Sequence, residues 1–254
     1  GKTHEVLLMV DMGDLREGIM FDHYQDIVDT VKLINELPNL KLYGLGTNFN
    51  CYGTVMPTVK NGCDFRDIAR KVEADTGIKI PRLSAGNCTS YVLIDQGKWP
   101  EGLNHLRIGG LHEYGIEYVK VHYLDQYHHS QKPVEKVCSP LYTLTAEIIE
   151  LNSKPTVPIG ELGVDAFLQT KTFVDRGIRR RALLAFGRQD VPSENCVPCD
   201  DSITVLGQTS DHTIIDIEDC KTPLKVGDKV SFELDYTGLL AACTTDGVEK
   251  RFIN

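Results

Sequence analysis

The sequence has no long apolar run and no concentration of basic residues. No stretch approaches the ~18 consecutive apolar residues that a membrane-spanning helix needs, and we expect no signal peptide. Lysine and arginine number 27 against 36 aspartates and glutamates, which gives a formal net charge of −9. Because Arg179-Arg180-Arg181 is the only basic run, this balance argues against a nucleic-acid-binding protein.

The cysteines form neither a disulfide framework nor a metal-binding pattern. All eight are scattered along the chain, as in proteins of a reducing compartment, so we expect a cytoplasmic location. Cys196-Val-Pro-Cys199 has a ligand-like spacing, but it lacks a second pair, and Pro192 and Pro198 favour a loop. The histidines between residues 112 and 129 are irregularly spaced, which favours an exposed insertion over a metal site. We therefore expect no bound metal.

The first part of the sequence alternates strands with helices. Residues 5–10 contain the continuous apolar run Val6–Val10, which predicts a strand that is buried on both faces. The remaining apolar patterns predict strands over 40–45, 80–83 and 103–108 and helices over 24–37 and 64–75. Such alternation is typical of a parallel sheet or barrel, whose chemistry lies on the loops at the carboxyl ends of the strands. The four predicted strand ends are rich in Gly, Asn, Ser or Arg.

Beyond about residue 140 the pattern changes to short alternating segments. Strands are predicted over 143–151, 183–186, 203–206, 213–217 and 229–234. Short, regularly spaced strands without a helix-length pattern predict a β-barrel or β-sandwich. The stretch 112–138 is rich in Tyr and His and has no clear period, so we interpret it as an insertion or linker. The predicted organisation is an α/β portion over 1–111, this insertion, and an all-β portion over 139–254.

A set of short motifs follows the predicted loops in a fixed order. Those of the first portion are Asp11–Gly18, Gly46–Gly53, Ser84–Cys88 and Leu106–Gly109. Those of the second portion are Val157–Gly163, Arg176–Arg180, Gly187–Asp190, Ser210–His212 and Asp235–Ala242. In this order they resemble the alanine-racemase-like, fold-type III enzymes that use pyridoxal 5'-phosphate, and the ornithine racemase branch in particular. The resemblance implies the C-terminal half of a (β/α)8 barrel followed by a β-barrel or β-sandwich domain.

The resemblance also implies which residues bind the cofactor. Barrels of this type hold phosphate with backbone N–H groups of two neighbouring loops. Here those loops carry Asn87, Cys88 and Thr89 on one side and Ile108, Gly109 and Gly110 on the other. Ser84, on the first of these loops, and Tyr236, in the β domain, complete the implied cofactor-binding set.

The same resemblance implies roles for three further residues. Arg107 would lie against the pyridine nitrogen; because an arginine keeps its proton, the ring nitrogen would stay unprotonated and the cofactor would be a weaker electron sink. Such a cofactor suits simple exchange of the Cα proton. Asn48 would lie over the ring, where alanine racemases carry a histidine. Arg16 is a candidate for the substrate carboxylate, which a guanidinium can pair with through two hydrogen bonds.

Racemisation needs one base on each face of the substrate Cα. In the family the first base is the lysine that holds the cofactor as a Schiff base, and the second comes from the β domain, usually of the partner subunit in a homodimer. Glu161 stands where alanine racemases carry a tyrosine, and Asp211 and His212 would be its neighbours. As isolated residues, Glu161 and His212 would more often be ordinary surface or capping groups. The expected substrate is ornithine or a similar basic amino acid.

The sequence departs from the family pattern in its lysines. The family lysine lies at the end of the first barrel strand, whereas Val6–Val10 corresponds to about the fifth, and no lysine here follows an apolar strand in that context. We therefore expect a chain that is inactive alone. A separate N-terminal chain could supply the lysine, the sequence could be part of a longer one, or the chain could be a non-catalytic cofactor-binding, regulatory or assembly protein. There are two further departures. Cys88 stands where the family usually has a phosphate-binding serine, and Gly110 stands where ornithine racemases carry a glutamate.

Overall fold

The computed structural model describes residues 1–111 and 141–252. The chain divides into two compact units, Gly1–Ser139 and Pro140–Asn254. The predicted insertion over 112–138, with its histidines, lies outside the described residues. Among the helices that the structure describes, none has the length and apolar character needed to cross a membrane.

The first unit is a parallel sheet with helices packed on it. Its strands are β1 (His4–Asp11), β2 (Ile19–Met20), β3 (Leu40–Thr47) and β4 (Arg82–Ala85), in the order β2-β1-β3-β4. Its helices are α1 (Tyr24–Glu36), α2 (Val59–Thr76) and the short α3 (Tyr91–Asp95). All three strand pairs are parallel, which brings the carboxyl ends of the strands to one edge.

Apolar side chains of α1 and α2 pack on the strands to form the core of this unit. The buried residues at its centre are Val10, Ile27, Val31, Leu45, Phe65 and Val72. Helix α1 buries Ile27, Val31 and Ile34, as the predicted helical spacing requires. Helix α2 ends at Gly77, whose φ of 68° is the left-handed conformation that glycine adopts most readily at a helix end.

Strand β1 exists as predicted, but it is not buried on both faces. Its residues Val6–Met9 are only half-buried, and burial is complete only at Val10 and Asp11. The reason lies in the pairing: in the described part of the chain, His4–Met9 pairs with β3 on one side, whereas β2 covers only Val10 and Asp11 on the other.

Helix α2 begins five residues before the predicted start. Thr58 and Asn61 form a capping box: the Thr58 hydroxyl accepts from the Asn61 N–H at 3.1 Å, and the Asn61 side chain accepts from the Thr58 N–H at 2.7 Å. Asn61 and Gly62 are weak helix formers, so helix propensity alone does not predict this first turn. Strand β4 begins two residues late because Pro81 has no N–H for the ladder.

The predicted strand over 103–108 is wrong. This segment runs beside β4 and makes backbone hydrogen bonds to Leu83, Ala85 and Gly86, but its regular pairing is limited to an isolated bridge between Ser84 and His105. The Leu83 N–H donates to the side chain of Asn104 at 2.9 Å instead of to a backbone carbonyl. This side-chain bond interrupts a regular ladder. The segment nevertheless lies alongside the sheet edge and carries Arg107.

The second unit is an antiparallel sheet of six strands in the order β7-β10-β5-β6-β9-β8. They are β5 (Leu144–Pro155), β6 (Ile178–Leu184), β7 (Cys196–Pro198), β8 (Thr204–Gln208), β9 (Thr213–Asp216) and β10 (Lys229–Leu234). Buried Ile148, Leu184, Ile215 and Phe232 form the centre of its core. An antiparallel sheet of this kind fits a β-barrel domain.

Two elements of this unit were not predicted. Residues Tyr236–Thr244 form helix α4, capped by Asp235, whose carboxylate accepts from the Gly238 N–H at 2.8 Å. The prediction that the β portion lacks a helix-length pattern is therefore wrong, because nine residues are too few to show a helical period clearly.

The Cys196–Pro198 segment is strand β7 at the edge of the sheet, not a loop. It pairs with β10, and a proline is tolerated there because an edge strand leaves one row of N–H groups unpaired. Burial, helped by the negative charges of Asp235 and Glu194, raises the pKa of the Cys196 thiol to about 12. A protonated thiol is a poor metal ligand and nucleophile. Across residues 1–111 and 141–252, no group of three or more His, Cys, Asp or Glu side chains could hold a metal ion.

Candidate active site

The parallel strands bring three polar loops together at one edge of the first unit. Strand β1 ends at Asp11, whose carboxylate accepts from the N–H groups of Gly13 at 2.8 Å and Leu15 at 3.1 Å and so folds the following loop. Strand β3 is followed by Asn48, and strand β4 by Asn87. The segment after the Ser84–His105 bridge adds Arg107 to the same edge.

Arg107 is held by three neighbours at this edge. Its Nη1 donates to Ser84 Oγ at 2.5 Å, and its Nη2 donates to the Thr47 carbonyl at 2.9 Å and to Asn48 Oδ1 at 3.4 Å. Burial lowers the pKa of the Arg107 guanidinium, and the nearby carboxylate of Glu17 partly offsets this effect. An arginine stays protonated under such conditions, so the group is a fixed, half-buried cation.

Asn48 links all three loops. Its Nδ2 donates to the Asp14 carboxylate at 3.3 Å, and its Oδ1 accepts from Asn87 Nδ2 at 3.3 Å as well as from Arg107. Asp14 is 2% exposed and also accepts from the N–H groups of Cys51 and Val55, each at 3.3 Å. A buried carboxylate is stable only when its oxygens are satisfied in this way.

The loop after β4 folds into a turn around Asn87. Its side chain accepts from the Thr89 N–H at 3.0 Å and from the Thr89 hydroxyl at 2.7 Å, and donates to the Phe49 carbonyl at 2.7 Å. The next residue, Cys88, is buried, and its Sγ accepts from the N–H groups of Gly109 at 3.2 Å and Leu111 at 3.3 Å. Two backbone donors from the neighbouring segment thus converge on this turn.

This arrangement fits an anionic group. A thiol is a weak acceptor for two N–H donors, and an anion at converging backbone N–H groups is a common arrangement. The Ser90 hydroxyl is fully buried, and no hydrogen-bond partner is found for it in the part of the chain that the structure describes. A Cβ on Gly86, whose φ is +97°, would lie 2.3 Å from that hydroxyl. The residues present therefore suit a ligand with a phosphate near Cys88 and a hydrogen-bond acceptor near Arg107.

Arg16 faces a carboxylate of its own chain. Both ends of its guanidinium contact Glu17, with Nη2 2.6 Å from Oε1, and Nη1 lies 2.7 Å from Cys51 Sγ. The contact lowers the pKa of the Glu17 carboxyl. Arg16 lies close enough to Arg107 for the two positive charges to repel. The structure thus shows a guanidinium that can pair with a carboxylate, and its partner here is Glu17.

In the second unit, Asp211 and His212 lie in the turn between β8 and β9. Asp211 Oδ1 accepts from the hydroxyls of Thr209 and Ser210, each at 3.1 Å, and lies 3.5 Å from His212 Nδ1. These hydroxyls lower the pKa of the Asp211 carboxyl. Glu161 is exposed in the long connection between β5 and β6, and within this unit the described residues include no hydrogen bond or ion pair that joins it to Asp211 or His212.

The remaining predicted site residues are exposed, except Gly110, which is partly buried. Tyr236, the first residue of α4, is 55% exposed, and Ile108 is 46% exposed. Gly109 and Gly110 follow Ile108 on the segment whose N–H groups meet Cys88.

Sequence reasoning missed two residues of the site, Asp14 and His105. His105 Nδ1 lies 2.9 Å from Ser84 Oγ, the same atom that accepts from Arg107. Its position two residues before Arg107 was a usable signal, because alternate side chains of an extended segment point to the same side. Asp14 stood within a quoted loop motif, but nothing in its spacing showed that it would be buried.

Comparisons with known proteins agree with this architecture. The family model described as the alanine racemase N-terminal domain matches residues 1–116. The chain is 38% identical to the ornithine racemase of Acetoanaerobium sticklandii, covering 99% of this chain and 68% of that protein. It is 36% identical to the lysine racemase of Thermotoga maritima, covering 97% of this chain and 65% of that protein.

Solved structures show the same fold at low sequence identity. An alanine racemase from Streptomyces lavendulae aligns with a TM-score of 0.61 and 17% identity, covering 96% of this chain and 62% of the other. An alanine racemase from Bartonella henselae with covalently bound pyridoxal phosphate aligns with a TM-score of 0.55 and 14% identity, covering 94% and 60%. The chain thus spans roughly three fifths to two thirds of the length of these proteins.

Proposed function

Because the chain belongs to the alanine-racemase-like family of isomerases, in its ornithine racemase branch, we propose that it serves a pyridoxal-phosphate-dependent racemase of basic amino acids. The observation that carries the proposal is the half-buried Arg107 beside the converging N–H groups at Cys88. The names of the two similar proteins support ornithine or lysine as the substrate. In this proposal the parallel sheet is the C-terminal half of a (β/α)8 barrel.

The loops at the sheet edge would hold the cofactor. Its phosphate would bind the turn of Asn87, Cys88 and Thr89 and the segment of Ile108, Gly109 and Gly110. On this second side, the N–H groups of Gly109 and of the following Leu111 already converge on one acceptor, Cys88 Sγ. The Arg107 guanidinium would donate to the pyridine nitrogen, held in place by Ser84 and Asn48. Tyr236 and Arg16 are assigned to the cofactor and to the substrate carboxylate, respectively. When bound, the cofactor supplies the electron sink that makes the substrate Cα proton acidic.

The proton transfers need two bases, one of which this chain offers. Glu161 is assigned as the base from the β domain, with Asp211 and His212 as its neighbours, and it would act in a homodimer from the partner subunit. None of the lysines within residues 1–111 and 141–252 lies at the carboxyl end of β1, β3 or β4. We therefore assign the cofactor-bearing lysine, which is also the opposite base, to a residue outside this described set.

The proposal is tested by reducing the protein with borohydride in the presence of pyridoxal phosphate and mapping the labelled peptide. The expected label is on a lysine outside the described residues or on a separate chain. A label on Lys41 of β3 or another described lysine would contradict the assignment. With the cofactor-bearing lysine present, exchange of the Cα proton in D2O is expected for ornithine and lysine. Its absence would contradict the racemase proposal itself.

The second candidate function is a non-catalytic cofactor-binding, regulatory or assembly protein. It is favoured by the Cys88 thiol, which takes up the Gly109 and Leu111 N–H groups, and by the lack of a lysine at the described strand ends. Binding of pyridoxal phosphate without any Cα-proton exchange, measured with the lysine-bearing part present, would support this function over the first.

A further inference from the structure

The buried hydroxyl of Ser84 connects two side chains that the established family roles do not connect. Ser84 is 0% exposed. Its Oγ lies 2.5 Å from Arg107 Nη1 on one side and 2.9 Å from His105 Nδ1 on the other. No motif of the sequence analysis included His105, and the cofactor and substrate roles assigned above make no use of it.

A guanidinium can only donate, so the Ser84 oxygen accepts from Arg107. The direction of the second bond depends on the tautomer of His105, because the Ser84 oxygen has a second lone pair. The hydroxyl proton needs an acceptor, and His105 Nδ1 lies within reach. If Ser84 donates to it, Nδ1 is unprotonated and the neutral ring carries its proton on Nε2. A protonated His105 would instead direct a second donor and a second positive charge at the same oxygen.

The ring of His105 is held in this orientation by its surroundings. Tyr43 on β3 meets it edge to face, with ring centroids 6.1 Å apart and an interplanar angle of 86°. The guanidinium of Arg82 on β4 lies 5.7 Å from the Tyr43 ring centroid, and its Nε donates to the Tyr43 hydroxyl at 3.4 Å. The orientation of the imidazole is therefore set by neighbouring strands of the sheet.

We propose that His105 is a positioning residue that acts through Ser84 to orient the Arg107 guanidinium. This inference rests on the proposed function, because orienting Arg107 matters for a ligand that binds it. The acceptor at His105 Nδ1 keeps the Ser84 proton turned away from Arg107, so that a lone pair of the buried oxygen faces Nη1. Without that acceptor, the hydroxyl proton is unsatisfied or competes with the Arg107 bond, and the guanidinium loses one of its three contacts.

The binding test uses pyridoxine 5'-phosphate, which carries the phosphate and ring nitrogen but has no aldehyde to react with lysine. Dissociation constants are compared for the unsubstituted chain, His105→Leu, His105→Asn, Ser84→Ala and the Ser84→Ala/His105→Leu double variant. Loss of the acceptor in His105→Leu is expected to weaken binding roughly 3- to 10-fold. His105→Asn, whose Oδ1 takes the place of Nδ1, is expected to bind within about 2-fold of the unsubstituted chain. His4→Leu, on the exposed start of β1, is the control.

The double variant separates a positioning role from a general packing role. If His105 acts through Ser84, the double variant binds no more weakly than Ser84→Ala alone, because neighbours in one network are not additive. If the two single substitutions weaken binding independently, so that their fold-losses multiply in the double variant, the proposal is overturned. It is also overturned if His105→Asn binds as weakly as His105→Leu.

A second measurement needs no ligand and no folded variant other than His105→Asn for assignment. Nitrogen NMR of the chain labelled in its histidines reports the tautomer of each ring. The expected signal for His105 at neutral pH is the Nε2–H tautomer; an Nδ1–H ring or an imidazolium would overturn the proposal. If pyridoxine 5'-phosphate fails to bind the unsubstituted chain, the cofactor site is contradicted, and this spectrum still decides the hydrogen-bond direction at His105.

Discussion

Cys88 Sγ accepts a hydrogen bond from the Gly109 backbone N–H at 3.2 Å. The thiol of the first loop thus fills the point at which the N–H groups of the second loop converge. A phosphate entering this corner would take these donors from a weak acceptor. In the proposed cofactor site, a cysteine at position 88 would therefore change the affinity for phosphate without removing the backbone donors.

Replacing Cys88 with serine is expected to strengthen binding of pyridoxine 5'-phosphate by about 2- to 10-fold, because a hydroxyl can donate to a phosphate oxygen far better than a thiol. The measurement is a fluorescence titration of Cys88→Ser against the unsubstituted chain. Pyridoxine without its phosphate is the control ligand, and its affinity is expected to stay unchanged. Equal gains for both ligands would place the phosphate elsewhere.

Replacing Glu161 with glutamine is expected to remove one of two bases while leaving the other. With the cofactor-bearing lysine present, racemisation of ornithine should then fall by at least about 100-fold, in the range of a lost general base. Exchange of the Cα proton of one enantiomer in D2O should persist, because that enantiomer presents its proton to the remaining base. Glu147 on β5 offers a matched surface glutamate, and Glu147→Gln should behave as the unsubstituted chain. Equal loss of exchange for both enantiomers would contradict the role of Glu161.

Replacing Asp14 with alanine is expected to lower the free energy of unfolding by about 2–4 kcal/mol, because Asn48, Cys51 and Val55 would lose a buried acceptor. Urea denaturation of the chain measures this loss. Asp29→Ala, on the exposed side of α1, is the control and should change stability by less than about 0.5 kcal/mol. A loss of that small size for Asp14→Ala would show that the loops at the sheet edge do not depend on this carboxylate.

The ion pair between the partly exposed Arg179 and the buried Asp216 is expected to make the second unit sensitive to acid. Burial alone would raise the pKa of Asp216, but the Arg179 hydrogen bond at 2.6 Å and the Glu218 N–H hold it below its ordinary value of 3.8. A carboxyl whose pKa is lowered on folding stabilises the folded state above its unfolded pKa. This contribution is lost as the pH falls from about 4 through the lowered value.

Arg179→Leu should accordingly lower the free energy of unfolding at pH 7, with a smaller deficit near pH 3. Urea denaturation at both pH values gives the comparison. Arg251→Leu breaks an ion pair whose side chains are both 70% exposed, and it should have little effect at either pH. A deficit that is independent of pH would show that the effect of Arg179 is packing alone.

Much of the fold follows from local patterns in the sequence. The apolar run of β1, the spacing of Ile27, Val31 and Ile34 in α1, and the stop at Gly77 each depend on neighbours along the chain. The sequence-based predictions are wrong where tertiary contacts determine the local structure. Asn104 takes a ladder bond with its side chain, and α4 is stabilised by a cap and by packing of Gly238 against Asn195.

The candidate site could likewise be predicted from the sequence only in part. The loops that carry Asn48, Asn87 and Arg107 could be placed at one edge because parallel strands end together, and the structure shows these side chains in contact. The burial of Asp14 and the Ser84–His105 bond depend on loops that are distant in sequence, so no local pattern could reveal them. The contact of Arg16 with its neighbour Glu17 corresponds to an adjacent pair of opposite charges in the sequence.

The most direct test of the proposed cofactor site is the affinity of the chain for pyridoxine 5'-phosphate with and without Arg107. We predict measurable binding by the unsubstituted chain and a loss of at least about 10-fold in Arg107→Leu, the size of one charge-assisted hydrogen bond. Arg70→Leu, on the exposed surface of α2, should bind as the unsubstituted chain does. Equal affinity in Arg107→Leu and the unsubstituted chain would contradict a cofactor site at the carboxyl edge of this sheet.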